Sequence, residues 1–181
     1  SHIEVIRLCT RNLVTLPQRV TEKLIQAIQP YGPIFVMTHF NHPAECTLEA
    51  KQAADRFTDS GFPIYNQNVL LKGVNDSPKA IQNLNRFLLQ MRIHPYYLLN
   101  CDLAQGISHF RTPVNQGLKI IHSLQGWTSG LAVPRFVVDL PYGGGKVELL
   151  PEQESHKKRD KVWQFKNYEG RAIDYQEPRH S

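Results

Sequence analysis

The chain has 181 residues, of which 41% are hydrophobic and 20% charged, and its formal net charge is +5. This length suits one globular domain with a sizeable core and is too short for two. No apolar run reaches the about 18 residues that a membrane span requires, and no signal-peptide pattern opens the chain. The basic residues are scattered along the chain, which argues against a nucleic-acid partner. We therefore expect a soluble, cytoplasmic protein that binds neither membranes nor nucleic acids.

Strand-like and helical segments alternate through most of the chain. Runs rich in Ile, Val, Tyr and Phe predict strands near residues 4–9, 34–39, 64–71, 94–101 and 135–140. Apolar residues at helical spacing predict helices that follow Thr21, follow Thr47, run through Ile81 to Met91, and open at Thr112. This alternation predicts an α/β fold in which parallel strands are joined by right-handed crossovers, as in half of a β/α barrel.

The last thirty residues have a different character. Residues 152–161 are strongly polar and are typical of a solvated connection. Residues 162–165 and 172–175 flank Glu169-Gly170 and predict a β-hairpin. We therefore divide the chain into residues 1–151, the partial barrel, and residues 152–181, the connection with the C-terminal hairpin.

Polar side chains follow several predicted strands. His39 and His42 come after the second strand, Asn66 and Gln67 lie within or near the third, Asp102 follows the fourth, and Asp139 and Lys146 follow the fifth. In β/α folds, functional side chains gather at the carboxyl ends of the strands. One mouth of the barrel could therefore collect all of these groups.

The run Gly143-Gly144-Gly145-Lys146 is the most specific local motif. A lysine on backbone without side chains is accessible to a carbonyl compound, and glycines let a phosphate approach main-chain N–H groups. These properties point to pyridoxal phosphate. The Walker spacing of nucleotide-binding loops is absent, because Leu140 and Val147 occupy its first and last positions. The same run also occurs in ordinary hairpin loops with a solvated lysine, and the pattern alone leaves that alternative open.

Histidines and cysteines suggest further alternatives. His39 and His42 could begin the metal site of a barrel hydrolase, which would need ligands that the sequence does not identify, or either could be a satisfied core histidine. Cys9, Cys46 and Cys101 lack the spacing of a disulfide framework, so we expect reduced thiols that behave as small buried hydrophobic residues.

Further ordered blocks accompany the glycine run and give it a wider context. They lie at residues 16–21, 38–43, 66–76, 95–97, 101–103 and 109–113. With these blocks, the sequence resembles the lysine 2,3-aminomutase family of radical S-adenosylmethionine enzymes from about residue 3 to about residue 151. The resemblance implies a partial parallel β/α barrel of the radical-SAM type.

The resemblance also implies roles for the residues at the glycine run and near it. Lys146 matches the lysine that binds pyridoxal phosphate, and Gly143, Gly144 and Gly145 match the glycines beside it. Asp102 and Asp139 match two aspartates that grip the distal ammonium of the lysine substrate, which suits a desolvated cation. The alternative is that each aspartate merely caps the loop that follows it.

Cofactor contacts and two departures follow from the same resemblance. Gln67 and His39 match positions that face S-adenosylmethionine, and we include the adjacent Asn66 among the cofactor-binding residues. Leu99 stands where well-known members carry a tyrosine near the cofactors. Ser77 replaces a thiol that binds structural zinc in some members, and no cysteine follows residue 101, so we predict no such metal site.

The implied reaction moves the amino group of L-lysine from C2 to C3 with pyridoxal phosphate, S-adenosylmethionine and a 4Fe-4S cluster. The cluster needs a Cys-x-x-x-Cys-x-x-Cys run, which this sequence lacks, so its ligands are expected in a missing N-terminal part. We therefore expect the C-terminal part of a longer enzyme, or the product of a truncated frame, that is inactive alone. An external one-electron reductant and a homo-oligomer belong to the same expectation, and a non-catalytic fragment remains the alternative.

Overall fold

The computed structural model describes residues 2–151, 155–159 and 162–178, with the backbone alone for 155–159. The strands are β1 Ile6–Cys9, β2 Ile34–Thr38, β3 Ile64–Leu70, β4 Ile93–Asn100, β5 Arg135–Leu140, β6 Gly145–Glu148, β7 Ser155–Arg159, β8 Val162–Lys166 and β9 Ala172–Gln176. The α-helices are α1 Asn12–Thr15, α2 Glu22–Ile28, α3 Leu48–Asp59, α4 Pro78–Gln90 and α5 Val114–Leu124.

The main sheet has six strands in the order β1-β2-β3-β4-β5-β6. Strands β1 to β5 pair in parallel, and β6 pairs antiparallel with β5. The five parallel strands with their connecting helices confirm the predicted α/β class and partial barrel. β6 was not predicted, because it begins at the last glycine of the run and its four residues read as part of a loop.

A second, three-stranded antiparallel sheet has the order β7-β8-β9. The predicted hairpin is confirmed as β8 and β9. The prediction of a solvated connection is wrong for Ser155–Arg159, which forms β7 and pairs with β8. Charged residues are compatible with this position, because charges on an edge strand discourage pairing with other chains. Tyr168 joins this sheet to the turn after α5, since its ring packs edge-on against Trp127 with the ring centroids 5.2 Å apart.

Side-chain caps and apolar faces explain where the helices form. Thr21 caps α2 by accepting a hydrogen bond from the Leu24 N–H, and Thr47 caps α3 in the same way. The prediction that Thr112 opens the fourth helix is wrong. α5 begins at Val114 without a side-chain cap, and the Thr112 hydroxyl instead donates to Asn100 at 3.4 Å.

The hydrophobic core lies between the main sheet and its helices. Inward side chains alternate along β3, where every second residue from Ile64 to Leu70 is buried. The largest fully buried side chains are Phe40, Phe57, Phe136, Leu13, Leu70, Ile81, Leu84, Leu88, Ile93, Leu98, Ile120 and Leu124. None of the helices in the part of the chain that the structure describes has the length and apolar character needed to cross a membrane.

The surface of the main sheet opposite this core carries a cavity, and we call it the open face. A cavity of about 310 Å³ lies on this surface over β1 to β4. The open face includes Arg7, Phe35, Met37, Tyr65, Gln67, Tyr96, Tyr97, Asp139 and Lys146. The sites predicted from the sequence are therefore to be sought at the carboxyl end of this surface.

Candidate active site

Lys146 and Asp139 form an ion pair at the edge of the open face. They are direct partners across the antiparallel β5–β6 pair, and the Lys146 ammonium donates to both carboxylate oxygens of Asp139. The side chains are 35% and 42% exposed, so both can be reached from solvent. The Lys146 Nζ also lies 5.8 Å from the centroid of the Tyr97 ring, at a distance where the ring face attracts a cation.

The glycine run is the turn of this β5–β6 hairpin. Gly143 and Gly145 adopt φ values of +76° and +80°, which side chains rarely allow. A Cβ on Gly144 would lie 2.8 Å from the Cβ of Leu140. The hairpin alternative that the sequence left open therefore describes the geometry correctly. The lysine, however, is held by a carboxylate and an aromatic ring instead of being simply solvated.

Asp102 lies at the carboxyl end of the parallel strands, as Asp139 does. It is exposed and follows β4, the neighbour of β5. Leu99 pairs with Val137, so continuing the register places Asp102 one residue beyond the level of Asp139. Among the described residues Asp102 forms no hydrogen bond or ion pair, which leaves its carboxylate available. Burial, and next the negative charge of Asp102, raise the pKa of the Cys101 thiol.

His39 and Gln67 lie together at the ends of β2 and β3. The His39 Nδ1 is 2.8 Å from the main-chain oxygen of Gln67. A carbonyl oxygen can only accept, so Nδ1 is the donor in this contact, and Nε2 is the ring nitrogen left for another partner. Gln67 is half-buried and its side chain alternates onto the open face. These two residues therefore offer a ring nitrogen and an amide near the carboxyl end of the sheet.

Asn66 does not share this orientation, and its surroundings do not support the predicted cofactor role. Its side chain is 1% exposed and points away from the open face. The amide donates to the main-chain oxygen of Phe40 at 3.0 Å and accepts from the Phe40 N–H at 2.6 Å. Asn66 thus ties the segment after β2 to β3. A contact with a cofactor on the open face does not fit this geometry.

Asn75 extends this clamp and was missed in the sequence. Its Nδ2 donates to the main-chain oxygens of Asn41 and Val69, both at 2.8 Å, and to the Asn68 Oδ1 at 2.9 Å. Its Oδ1 accepts from the Leu71 N–H at 2.7 Å. The segment that carries His39 is therefore fixed by buried amides. The signal was present as three asparagines and one glutamine within residues 66–76, of which only Asn66 and Gln67 were considered.

Tyr96 and Tyr97 were also missed as individual site residues. The β3–β4 register shifts between Asn66 and Gln67, which leaves Tyr96 as an extra residue in a bulge. Its hydroxyl donates to the Tyr97 hydroxyl at 2.8 Å, and this hydrogen bond, followed by burial, raises the pKa of Tyr96. The visible signal was Pro95-Tyr96-Tyr97, where two adjacent large side chains break the strand alternation.

Comparisons with known proteins show what the chain is similar to. A family model described as Lysine-2,3-aminomutase matches residues 121–181. An L-lysine 2,3-aminomutase of Methanococcus maripaludis is 51% identical over 98% of this chain and 41% of its own length. The chain matches the C-terminal part of the lysine 2,3-aminomutase family. It spans about two fifths of the length of the curated relatives that it matches.

Other relatives show how broad this similarity is. The L-lysine 2,3-aminomutase of Fusobacterium nucleatum is 48% identical over 98% of this chain and 41% of its own. A glutamate 2,3-aminomutase of Clostridioides difficile is 42% identical over 95% of this chain and 40% of its own. A solved radical SAM methyltransferase from Sphaerobacter thermophilus superposes with a TM-score of 0.48 at 17% identity, over 74% of this chain and 39% of that chain.

The hydrolase alternative finds no support in the structure. The Nδ1 atom of His39 is engaged by Gln67, and that of His42 accepts from the Ala44 N–H. Within residues 2–151, 155–159 and 162–178 there is no group of three His, Cys, Asp or Glu side chains placed to hold a metal. Two histidines close in sequence thus serve separate local contacts.

The cysteine prediction is only partly correct. Cys101 is buried as expected, but Cys9 is exposed and Cys46 is half-buried. Burial, with a smaller effect from the charge of Glu45, raises the pKa of Cys46 to about 12. Cys9 is exposed because β1 is the outermost strand of the main sheet.

Proposed function

We propose that the full-length protein is an L-lysine 2,3-aminomutase and that this chain supplies the carboxyl-end wall of its active site. The observation that carries the proposal is the adjacency of Lys146 and Asp139 on the open face, at the sheet edge where Asp102 also lies. The names of the most similar relatives support the same reaction. The chain's share of that reaction is to hold the cofactor and the tail of the substrate.

Lys146 would hold pyridoxal phosphate through its ε-amino group. When bound, this cofactor supplies a carbonyl carbon that can carry the migrating amino group. The donor set fits, because the amine is one-third exposed, and a Cβ built on Gly143 or Gly145 would meet nothing within 4 Å, which leaves room for a phosphate beside this backbone. Tyr97 keeps the lysine head on the open face, where a substrate could reach it.

S-adenosylmethionine would lie near His39 and Gln67. The Nε2 of His39 can accept a hydrogen bond from a ribose hydroxyl, and the Gln67 amide can both donate and accept. The cysteines do not fit a 4Fe-4S cluster, because they lie in β1, before α3 and after β4 without the required spacing. The ligands of a cluster would therefore come from elsewhere in a longer chain. The cluster would also need an external one-electron reductant.

The two aspartates favour a substrate with a cationic tail. A pair of carboxylates attracts a distal ammonium and repels the second carboxylate of glutamate. Sequence identity does not make this choice, since a glutamate 2,3-aminomutase is also 42% identical to the chain. The acidic pair Asp102 and Asp139 is therefore the reason for preferring lysine.

The proposal is tested by adding pyridoxal phosphate to the 181-residue chain. We expect an absorbance band near 410–430 nm, roughly where this cofactor absorbs when joined to a lysine, and borohydride should remove the band and leave a stable label on Lys146. Lys146→Ala should abolish the band. Lys119→Ala, at an exposed position of α5, is the matched control and should keep it. An equal band in wild type and Lys146→Ala would refute the assignment of the cofactor lysine.

A further inference from the structure

A second cavity lies between the loops that follow β3 and β4. Its volume is about 530 Å³, and its walls are formed by Lys72, Asp76, Arg111, Thr112, Pro113 and Gln116. It shares no lining residue with the cavity of the open face. Small-molecule sites in proteins commonly measure about 300–1,000 Å³. The second cavity is therefore large enough to hold a ligand of its own.

Hydrogen bonds tie the two loops together around this cavity. The Lys72 N–H donates to the main-chain oxygen of Phe110 at 2.7 Å, and the Gln116 Nε2 donates to the main-chain oxygen of Asp76 at 2.8 Å. Thr112 is buried, and its hydroxyl donates to Asn100 at 3.4 Å. The loops thus form one frame, and the charged side chains of both loops line the same space.

Three charged side chains line the cavity without a counter-ion. Within residues 2–151, 155–159 and 162–178, the side chains of Lys72, Arg111 and Asp76 form neither an ion pair nor a hydrogen bond. Two cations near each other repel when no anion lies between them. The start of α5, which has no side-chain cap, adds the positive end of a helix dipole. The cavity is therefore positive overall but carries one acidic group.

We propose that this cavity binds a small acidic amino acid. One carboxylate of the ligand lies against Lys72 and the other against Arg111, while its ammonium lies against Asp76. Two negative groups and one positive group are the complement of the lining, and each contact is a charge-assisted hydrogen bond. The Oε1 of Gln116 is a further acceptor for the ammonium, because the Nε2 of that amide is held by the main chain of Asp76.

The same lining discriminates against related ligands. Glutarate has both carboxylates but no ammonium, so it brings a second negative group near Asp76 without a positive group to neutralise it. L-Lysine offers one carboxylate to two cations and adds an ammonium to a positive wall. This inference does not rest on the proposed function, since none of the lining residues takes part in that reaction.

The test is a titration of the ¹⁵N-labelled 181-residue chain with L-glutamate, followed by NMR spectra of the main-chain amides. Sodium chloride keeps the ionic strength constant, because salt screens exposed charges. We expect saturable shifts centred on the amides of Gly73, Arg111 and Gln116. Glutarate and L-lysine are titrated in the same way, and both should bind more weakly than L-glutamate. This comparison uses wild type alone and does not depend on the folding of any variant.

Four variants locate the binding site. Lys72→Gln and Arg111→Gln should each raise the Kd of L-glutamate by about 1.4- to 5-fold, the range set by exposed ion pairs. Asp76→Asn should raise the Kd of L-glutamate but not that of glutarate. Arg86→Gln removes a cation from an exposed position of α4 and should leave the Kd unchanged. Thermal unfolding followed by circular dichroism checks that the variants are folded.

Several results would overturn the inference. One is the absence of saturable shifts, and another is an equal Kd for L-glutamate and glutarate in wild type, because the ammonium would then have no role. An equal rise of the Kd in Arg86→Gln and Arg111→Gln would mean that general charge explains the binding. None of these results changes the expected label on Lys146, so the proposed function is judged separately.

Discussion

Replacing Asn75 by alanine should destabilise the chain strongly, although the residue lies in a loop. Its side chain is 1% exposed and makes four hydrogen bonds, to the main chain of Asn41, Val69 and Leu71 and to the side chain of Asn68. The substitution leaves the Leu71 N–H without its acceptor and removes a donor from three oxygens. An unsatisfied buried group costs about 1–3 kcal/mol, so we expect a loss of about 3 kcal/mol in the free energy of unfolding.

Urea denaturation followed by circular dichroism measures this loss. Asn115→Ala, at an exposed position of α5, is the control and should stay within about 0.5 kcal/mol of wild type. Asn75→Asp should be at least as damaging as Asn75→Ala, because it keeps the acceptor for Leu71 but turns a carboxylate oxygen toward three other oxygens. If Asn75→Ala unfolds at the same urea concentration as Asn115→Ala, the amide clamp does not hold this loop.

Three further predictions concern other parts of the chain. Gly117→Ala should cost about 1–3 kcal/mol despite the helical preference of alanine, because the new Cβ would lie 2.1 Å from the ring of Phe136; thermal unfolding measures this. Tyr97→Phe should lower the pKa of Tyr96 toward its ordinary value, since the hydroxyl that accepts the hydrogen bond of Tyr96 is lost, and ultraviolet titration of the phenol measures this change. Lys51, followed by Arg92, lowers the pKa of Asp55, so this carboxylate stabilises the fold above the unfolded pKa of about 3.9 and loses that effect as the pH falls further. Asp55→Asn should therefore be less stable than wild type at pH 7, and this difference should shrink as the pH falls below about 3.9, as measured by urea denaturation at each pH.

The alternating parallel part of the fold follows directly from the sequence pattern. Each of β1 to β5 lies within two residues of its predicted bounds, because a buried parallel strand is a short run of β-branched and aromatic residues. β7 was mistaken for a connection, since a charged edge strand has no such run. Its pairing with β8 depends on main-chain hydrogen bonds, which composition does not reveal.

Side-chain direction was the harder part of the site to predict. Asn66 and Gln67 are adjacent, and period-two alternation sends one of them to the core and the other to the open face. The sequence pattern alone does not say which, because both are polar amides. Tyr96 shows the same difficulty, since its bulge shifts the register of β4 and only the paired strand reveals the extra residue.

The pairing of Asp139 with Lys146 was only partly predictable from the sequence. Glycines that tolerate positive φ marked a tight turn, and the apolar run before Asp139 marked the strand that enters it. A strand that leaves such a turn pairs back on its neighbour, which places the lysine opposite the aspartate. In the sequence, an ordinary hairpin and a cofactor-binding lysine are alternative interpretations of the glycine run. In the structure they are compatible, because the hairpin places Lys146 opposite Asp139. Without the turn, Lys146 would not face the carboxylate of Asp139.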